Sequence, residues 1–156
     1  MKMKRVLFVC LGNICRSPAA EAVFTEIVRQ AKKQSAFEID SAGTSGWHIG
    51  EPADSRMQYH AGKRGYQLTS ISRKFNPSYD FDHFDYIIGM DNENIRSLKQ
   101  LARTDADELK IHKMTDFCDN QIYTEVPDPY YGGEKGFELV LDLLEDSCKG
   151  LLKTLC

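Results

Sequence analysis

Continuous apolar runs alternate along this chain with segments whose apolar residues recur at helical spacing. The first run is VLFVC at 6–10, made of β-branched and aromatic residues ending in a cysteine. Such a run is typical of a parallel strand that is covered on both faces. Three more segments have strand character: FEIDS at 37–41, YIIGM at 86–90 and, more weakly, LKIHK at 109–113.

Two helices are predicted from apolar spacing at the two ends of the chain. Ser17 can cap the first, and Pro18 suits its first turn, where a missing N–H breaks no hydrogen bond. Apolar residues three and four apart continue this helix to about Lys33. The C-terminal helix presents an apolar stripe formed by Phe137, Val140, Leu141, Leu144, Cys148, Leu151, Leu152 and Leu155.

Two further helices lie between the strands, one over 54–63 that stops at Gly65 and one capped by Asp91 that reaches about Ala102. Strands alternating with helices predict an α/β fold with a parallel sheet, right-handed crossovers and helices on both faces. Ligands in such folds bind beyond the carboxyl ends of the strands, which makes the first strand–loop–helix unit the default site. No repeat or change of composition divides the chain, and we expect 1–156 to be a single domain.

Composition narrows the class of protein. The 156 residues are 42% hydrophobic and 28% charged, with a net charge of −3 and five cysteines. The chain has no excess of basic residues, so its charge does not indicate nucleic acid or a membrane surface as a partner. The apolar run at 6–10 is too short for a secretory signal, and the odd number of cysteines does not suit a disulfide framework. We therefore expect a cytoplasmic protein with free thiols.

The residues CLGNICRS at 10–17 combine the parts of an anion site that carries a nucleophile. A loop between a strand and a helix N-terminus can turn backbone N–H groups toward an anion, and Gly12 and Asn13 tolerate the left-handed backbone that this requires. The guanidinium of Arg16 can hold two oxygens of a phosphate. The same field favours the thiolate of Cys10, the form that attacks phosphorus. The predicted phosphate-binding loop is Leu11, Gly12, Asn13, Ile14, Cys15, Arg16 and Ser17.

Other interpretations of Cys10 remain open at this point. A free cysteine at the end of a strand is often a core residue, and a C-x5-R spacing alone is weak. A zinc site through Cys10 and Cys15 would need a second pair of ligands, which Cys118 and Cys148 do not supply. The loop has no G-x-x-x-x-G-K-[ST] pattern, so nothing implies Mg²⁺, and we expect no cofactor.

Two motifs, VCLGNICRSPAAEA at 9–22 and DPYYG at 128–132, together resemble the low-molecular-weight protein tyrosine phosphatases. The resemblance extends to IDSAGTSGWHIGEPAD at 39–54 and FDYIIGMD at 84–91. It implies a three-layer, flavodoxin-like doubly wound sheet of four parallel strands in the order 2-1-3-4. It also implies Cys10 as nucleophile, Arg16 as phosphate clamp and Asp128 as general acid.

Asp128 lies between two prolines, which is ordinary turn chemistry on its own. Beside the loop it can instead protonate a phenolate leaving group and, once ionised, activate the water that hydrolyses a cysteinyl phosphate. Aromatic residues on two loops could enclose a phenyl ring. The resemblance places Trp47 and Tyr131 as walls of the substrate pocket, and Tyr130 on the same loop is a further candidate. Trp47 could instead simply pack on its own loop.

The resemblance also assigns supporting roles. Asn13, Ser17 and Ser41 are expected to shape the loop and stabilise the thiolate, while several relatives have a histidine near the position of Ser70. Cys15 is implied as a redox partner that forms a disulfide with Cys10, or else it is a small packing residue.

The predicted substrate is a phosphotyrosine protein or a small aryl phosphate, with phosphate or a similar oxyanion held in the loop. Ile14 favours phosphotyrosine, because relatives that act on phosphoarginine tend to have threonine there. His48 and His60 are expected on the surface. We expect a monomer, or at most a weak dimer.

Two other functions are alternatives for a loop of this kind. A thiol-dependent arsenate reductase would need a resolving cysteine, for which only Cys118 is available. A phosphocysteine phosphocarrier should lack the DPYYG segment.

Overall fold

The computed structural model of the protein describes residues 2–120, 122–130 and 133–156. Four parallel strands form one sheet in the order β2-β1-β3-β4, with β1 at Lys4–Cys10, β2 at Phe37–Gly43, β3 at Tyr86–Gly89 and β4 at Ile111–Lys113. The helices of the described residues are α1 Arg16–Gln30, α2 Ser55–Gly62, α3 Pro77–His83, α4 Asn92–Leu101, α5 Asp105–Leu109 and α6 Glu134–Leu155. Short 3₁₀ turns lie at Gln34–Ala36 and Met114–Phe117.

Strand β1 is buried on both faces, and each face belongs to a different hydrophobic core. Val6 and Phe8 belong to the larger core, which α1 and α6 cover together with α2. Leu7 and Val9 point to the other side of the sheet, into the core formed with α3 and α4. Successive strand residues point to opposite faces, so the continuous apolar run gives a strand covered on both sides. The three-layer, flavodoxin-like α/β fold and the strand order 2-1-3-4 are therefore confirmed.

The cap of α4 and the apolar stripe of α6 agree with the sequence. Asp91 caps α4 through a reciprocal bond with Asn94, and α6 buries its predicted stripe, with Leu152 only partly covered. Asp54, predicted as the first residue of a helix, is instead the cap of α2. Helix α1, however, begins at Arg16 rather than after Ser17. The reason is that the Ser17 side chain is engaged with the loop instead of capping the helix.

Helices α3 and α5 were not predicted. Both are short, seven and five residues, and neither has room for two turns of apolar spacing. Local signals were nevertheless present: Asn76 and Pro77 open α3, and Thr104 caps α5 through its hydroxyl. Among the described residues, no helix is long and apolar enough to cross a membrane.

Candidate active site

The loop from Leu11 to Cys15 leaves β1 at the carboxyl edge of the sheet and enters α1. It lies directly against the end of β2 at Gly43. A β-carbon at Gly43 would lie 2.9 Å from the oxygen of Leu11 and 3.1 Å from the carbonyl carbon of Gly12. Only glycine allows this close backbone approach, which fixes the position of the loop on the sheet edge.

The carbonyl groups of this loop are tied to neighbouring segments on its outer side. The contacts are Thr44 N to Cys10 O (2.9 Å), Ser45 N to Leu11 O (2.9 Å), Ser72 Oγ to Gly12 O (3.0 Å) and Asp54 N to Ile14 O (2.8 Å). In a trans peptide the N–H of the next residue points opposite to the carbonyl. These bonds therefore turn successive N–H groups toward the inside of the loop, where an anion can accept from them.

Asn13 is the centre of the loop's internal support. Its φ of 56° lies in the left-handed region, which asparagine tolerates better than most residues. Its Nδ2 donates to Ser17 Oγ (2.7 Å) and to Ser41 Oγ (3.0 Å), and its Oδ1 accepts from the backbone N–H of Arg73 (3.0 Å). One buried side chain thus joins the loop to α1, to β2 and to the segment before α3.

Cys10 lies at the floor of the loop and is 3% exposed. Its sulfur is 3.1 Å from Ser17 Oγ. The Ser17 hydroxyl accepts from Asn13 and also lies 3.4 Å from the carbonyl oxygen of Ala42 in β2. It therefore contacts the sulfur, the loop and the end of the neighbouring strand at once.

A partly buried carboxyl group, that of Glu21, extends this chain of hydrogen bonds and was missed by the sequence reasoning. Ser41 Oγ donates to Glu21 Oε1 at 2.6 Å, and Ser70 also bonds to Glu21. Burial raises the pKa of Glu21, and the two hydroxyl bonds offset only part of that effect. The signal was available: Glu21 follows Ser17 by four residues, which places both on one face of α1. Ser70, the position that the resemblance aligns near a histidine, here contacts this carboxyl group.

Arg16 is 2% exposed and is held by three oxygens. Its Nη1 donates to Asp91 Oδ2 at 2.6 Å and to Val126 O at 3.0 Å, and its Nη2 lies 3.6 Å from Asp128 Oδ2. Burial alone would lower the pKa of the guanidinium, but Cys10 and the two carboxylates outweigh it and raise the pKa. Asp91 was predicted only as a helix cap. The structure shows that it also fixes the arginine.

The cavity above Cys10 has a volume of about 40 Å³ and is lined by the loop and by four residues of its rim: Trp47, His48, Asp128 and Tyr130. Trp47 is 74% exposed at the mouth, so it stands beside the cavity without being buried in its own loop. Tyr131, the other predicted aromatic wall, lies outside the described residues.

Of the two histidines expected on the surface, His48 is partly exposed and His60 is buried. His48 lines the cavity, and its Nδ1 is 2.8 Å from Glu51 Oε2. His60 is 4% exposed, stacks on Phe137 and bonds through Nδ1 to Glu138. The prediction for His60 was wrong, because α6 packs over the face of α2 that carries it.

Asp128 reaches the cavity from the segment before α6. One of its carboxylate oxygens accepts from the backbone N–H of Tyr130 at 3.0 Å, and the other is the oxygen near Arg16. Its side chain is 33% exposed, so solvent reaches it while it faces the loop. The structure therefore brings Cys10, Arg16 and Asp128 to one cavity, as the family resemblance implied.

All five cysteines are free thiols. Cys15 is buried, and burial followed by the nearby Asp54 raises its pKa above the usual range. Cys148 packs in the main core, as predicted, while Cys118 contacts Ser147 of α6 and does not line the cavity. Among the described residues, no three His, Cys, Asp or Glu side chains are grouped in a way that could hold a metal ion.

Comparison with known proteins identifies the family. Residues 5–156 match the family model described as low molecular weight phosphotyrosine protein phosphatase. The chain belongs to this family, as its two motifs predicted.

Individual relatives agree with this assignment. The low molecular weight protein-tyrosine-phosphatase of Streptomyces coelicolor is 44% identical over 95% of this chain and 91% of its own. The corresponding phosphatase of Gallus gallus is also 44% identical, over 97% and 96%. A crystal structure of the protein tyrosine phosphatase from Entamoeba histolytica, with Hepes in the active site, superposes with a TM-score of 0.94 at 51% identity, covering 97% of this chain and 96% of that one. A drosophila arginine phosphatase has the same fold, with a TM-score of 0.90 at 32% identity, covering 99% of this chain and 98% of that one.

Proposed function

We propose that the chain acts as one catalytic domain that hydrolyses phosphotyrosine without a metal, through a phosphoryl group carried on Cys10. The convergence of Cys10, Arg16 and Asp128 on one small cavity carries this proposal. A thiol, a fixed guanidinium and a carboxyl group at one place supply a nucleophile, an anion clamp and a proton donor.

In the first step the thiolate of Cys10 attacks the phosphorus of an aryl phosphate. The S–P bond forms as the P–O bond to the phenol breaks, and protonated Asp128 gives its proton to the departing oxygen. Arg16 and the inward N–H groups of the loop bind the three equatorial oxygens, whose charge they stabilise in the transition state. Because the loop is already fixed by its outer hydrogen bonds, little reorganisation is needed when the substrate binds.

In the second step a water molecule attacks the phosphorus of the cysteinyl phosphate. Asp128, now a carboxylate, takes a proton from this water as the O–P bond forms and the S–P bond breaks. Inorganic phosphate leaves and the thiolate of Cys10 returns. The hydroxyl of Ser17, 3.1 Å from the sulfur, stabilises the thiolate both as attacking and as leaving group.

Asn13, Ser41 and Glu21 act in this proposal as positioning residues. None of them lines the cavity, but together they orient the Ser17 hydroxyl that contacts Cys10. Relatives with histidine near the position of Ser70 would support the same chain with a larger, ionisable group. Here two serines and a carboxyl group perform that task.

Trp47 and Tyr130 are proposed to flank the phenyl ring of the substrate, with Tyr131 as a further wall. Ile14 is nearly buried and lines the cavity, where its aliphatic side chain narrows the space beside the phosphate. This favours phosphotyrosine over the wider phosphoguanidinium group. The fold itself does not distinguish phosphotyrosine from phosphoarginine as substrate, since a drosophila arginine phosphatase shares it.

The decisive test of substrate class compares three peptides of one sequence that carry phosphotyrosine, phosphoserine or phosphoarginine, with EDTA present. We expect rapid release of phosphate from the phosphotyrosine peptide alone. An Ile14→Thr variant should gain activity on phosphoarginine, while a Val28→Thr variant in the core of α1 serves as a control for the substitution itself. Loss of activity on chelation, or preference for phosphoserine, would contradict the proposal.

Cys15 is proposed to protect Cys10 by forming a disulfide with it under peroxide, as the family resemblance implies. The two cysteines line the same cavity, and no disulfide is present in the structure. A cytoplasmic location, where thiols are kept reduced, is consistent with the five free cysteines. Peroxide inactivation that dithiothreitol reverses in the wild type but not in Cys15→Ser would support this role.

A further inference from the structure

The segment 126–130, which we call the acid loop, is attached to the phosphate-binding loop through two arginines. One is Arg16, whose Nη1 donates to Val126 O at 3.0 Å and whose Nη2 lies 3.6 Å from Asp128 Oδ2. The other is a second arginine, which lies against the ring of Tyr130. The two attachments have different consequences once substrate is bound, because only the first involves a group that the substrate needs.

Arg56, in the first turn of α2, lies between two aromatic rings. Its guanidinium carbon is 5.2 Å from the centroid of the Tyr130 ring and 5.0 Å from that of Phe137 in α6. These distances are those of cation–π contacts. The arginine thereby joins the acid loop to the main body of the protein, although its side chain is 46% exposed.

Asp54 fixes the direction of this arginine. Its carboxylate accepts from Arg56 Nε at 3.2 Å and from Nη2 at 3.0 Å, a two-pronged contact that holds the guanidinium plane. Its own backbone N–H donates to Ile14 O at 2.8 Å, inside the phosphate-binding loop. The residue that orients Arg56 is thus hydrogen-bonded to the phosphate-binding loop.

These contacts form a closed circuit through both loops. It runs from Ile14 to Asp54, Arg56 and Tyr130, then through the Tyr130 backbone N–H to Asp128 (3.0 Å), and back to the phosphate-binding loop at Arg16. When a phosphate dianion occupies Arg16, it competes with Asp128 for the guanidinium, and protonation of Asp128 weakens the same ion pair. The bond from Arg16 Nη1 to Val126 O still holds the start of the acid loop, and the connection through Arg56 holds its end, next to Asp128.

We propose that Arg56 is a positioning residue that holds the acid loop, through the ring of Tyr130, so that Asp128 reaches the leaving-group oxygen. This rests on the proposed role of Asp128 as general acid. Arg56 contacts neither the phosphate nor the reacting atoms. Its effect is therefore confined to proton donation and does not extend to nucleophilic attack.

The test uses two aryl phosphates that need the acid to different extents. Phenyl phosphate has a basic leaving group that must be protonated, whereas p-nitrophenyl phosphate releases a more acidic phenol. The variants are Arg56→Met, which keeps the length of the side chain but not its charge or plane, and Arg56→Lys. The control is Arg29→Met in α1, where an exposed arginine pairs with Glu26. The measured quantity is kcat/KM, because it reports the first chemical step for both substrates.

We expect Arg56→Met to lower kcat/KM for phenyl phosphate about 3- to 10-fold, because the cation–π contact that aligns the acid loop is lost. The kcat/KM for p-nitrophenyl phosphate should change less than about 2-fold. Arg56→Lys should recover only part of the loss, since lysine has charge but no planar group to stack. Arg29→Met should leave kcat/KM unchanged for both substrates. In an Asp128→Asn background, Arg56→Met should cost nothing further.

Equal losses on the two substrates, or an undiminished loss in the Asp128→Asn background, would overturn the inference and leave the proposed function intact. If Asp128→Asn itself affects the two substrates equally, Asp128 is not the acid, and the proposed function and the inference both fail. Because Arg56 is half exposed, its variants are expected to fold, and equal thermal unfolding midpoints would verify this.

Discussion

The phosphate-binding loop and the acid loop meet at the same cavity but are held in different ways. The first is fixed by bonds to its backbone and by a buried chain of side chains from Cys10 to Glu21. The second places Asp128 with one backbone bond and with two arginines, Arg16 and Arg56, that come from other elements. Arg16 is 2% exposed, whereas the side chain of Asp128 is 33% exposed.

This difference matches the tasks proposed for the two loops. Binding a dianion and stabilising its transition state benefit from donors that are fixed in advance, because the donors then need not reorganise during the reaction. An acid that later acts as a base must exchange protons with solvent, which requires access to water. The comparison therefore predicts large, uniform losses from changes in the phosphate-binding loop and losses that depend on the leaving group from changes in the acid loop.

The largest effect is expected for Cys10→Ser. A serine hydroxyl at neutral pH is a far weaker nucleophile than a thiolate, so hydrolysis of p-nitrophenyl phosphate should fall on the order of 10⁴-fold or more. Phosphate binding should stay within a few-fold of the wild type, since Arg16 and the loop N–H groups are unchanged. Titration calorimetry with inorganic phosphate checks the second point, and substantial activity in the variant would refute the first.

Asp128→Asn should have the next largest effect. With phenyl phosphate the loss in kcat/KM should be about 10²- to 10³-fold, because the amide cannot donate the proton that the leaving group needs. With p-nitrophenyl phosphate it should be at least tenfold smaller. Steady-state kinetics on a series of substituted phenyl phosphates measures this as a steeper dependence on leaving-group basicity. An unchanged slope would remove Asp128 as the acid.

Ser41→Ala tests the buried support of the phosphate-binding loop. It removes the link between Asn13 and Glu21 and leaves buried polar groups with one partner fewer. We expect kcat/KM to fall about 3- to 10-fold, by the same factor for good and poor leaving groups. The exposed Ser35→Ala is the matched control. A loss confined to poor leaving groups would mean that this buried support acts on proton donation, which the comparison assigns to the acid loop alone.

The smallest effect concerns stability at alkaline pH. Burial raises the pKa of Cys15 and of the core thiol Cys148, so both stay protonated in the folded protein where the unfolded chain begins to ionise, near pH 8.5. The unfolded state then binds fewer protons than the folded state, so the free energy of unfolding falls as pH rises above about 9.

Each such thiol should contribute a slope of about 1.4 kcal/mol per pH unit in this range. Urea unfolding of the wild type and of Cys15→Ala between neutral pH and pH 10 measures it. The variant should show the shallower decline. Identical slopes would indicate that Cys15 is not shielded from solvent inside the loop.

The sequence predicted the position and the shape of the loop at 11–17 well because the signals for them are local. An apolar run, Gly12 and Asn13, and Arg16 lie within one strand–loop–helix unit, where backbone geometry decides which way the groups point. Asp128 became the candidate acid only because DPYYG resembles a family motif. Spacing alone would have left Asp128 as a turn residue.

What escaped prediction depends on contacts between distant segments. Glu21 meets Ser41, Asp91 meets Arg16 and Arg56 meets Tyr130 only after the sheet has assembled. His60 illustrates the same limit, because its burial is decided by the packing of α6 over α2. A charged or polar residue in an amphipathic helix gives no sign in the sequence of which distant partner it will find.

The most direct test of the central claim is to trap the covalent intermediate. Asp128→Asn reacts with p-nitrophenyl phosphate, whose leaving group needs little protonation, but lacks the base for the second step. Rapid quenching should show a burst of p-nitrophenol equal to the enzyme concentration, and mass spectrometry should locate one phosphoryl group on Cys10. A burst-free reaction, or a phosphoryl group on any residue other than Cys10, would contradict the proposed mechanism.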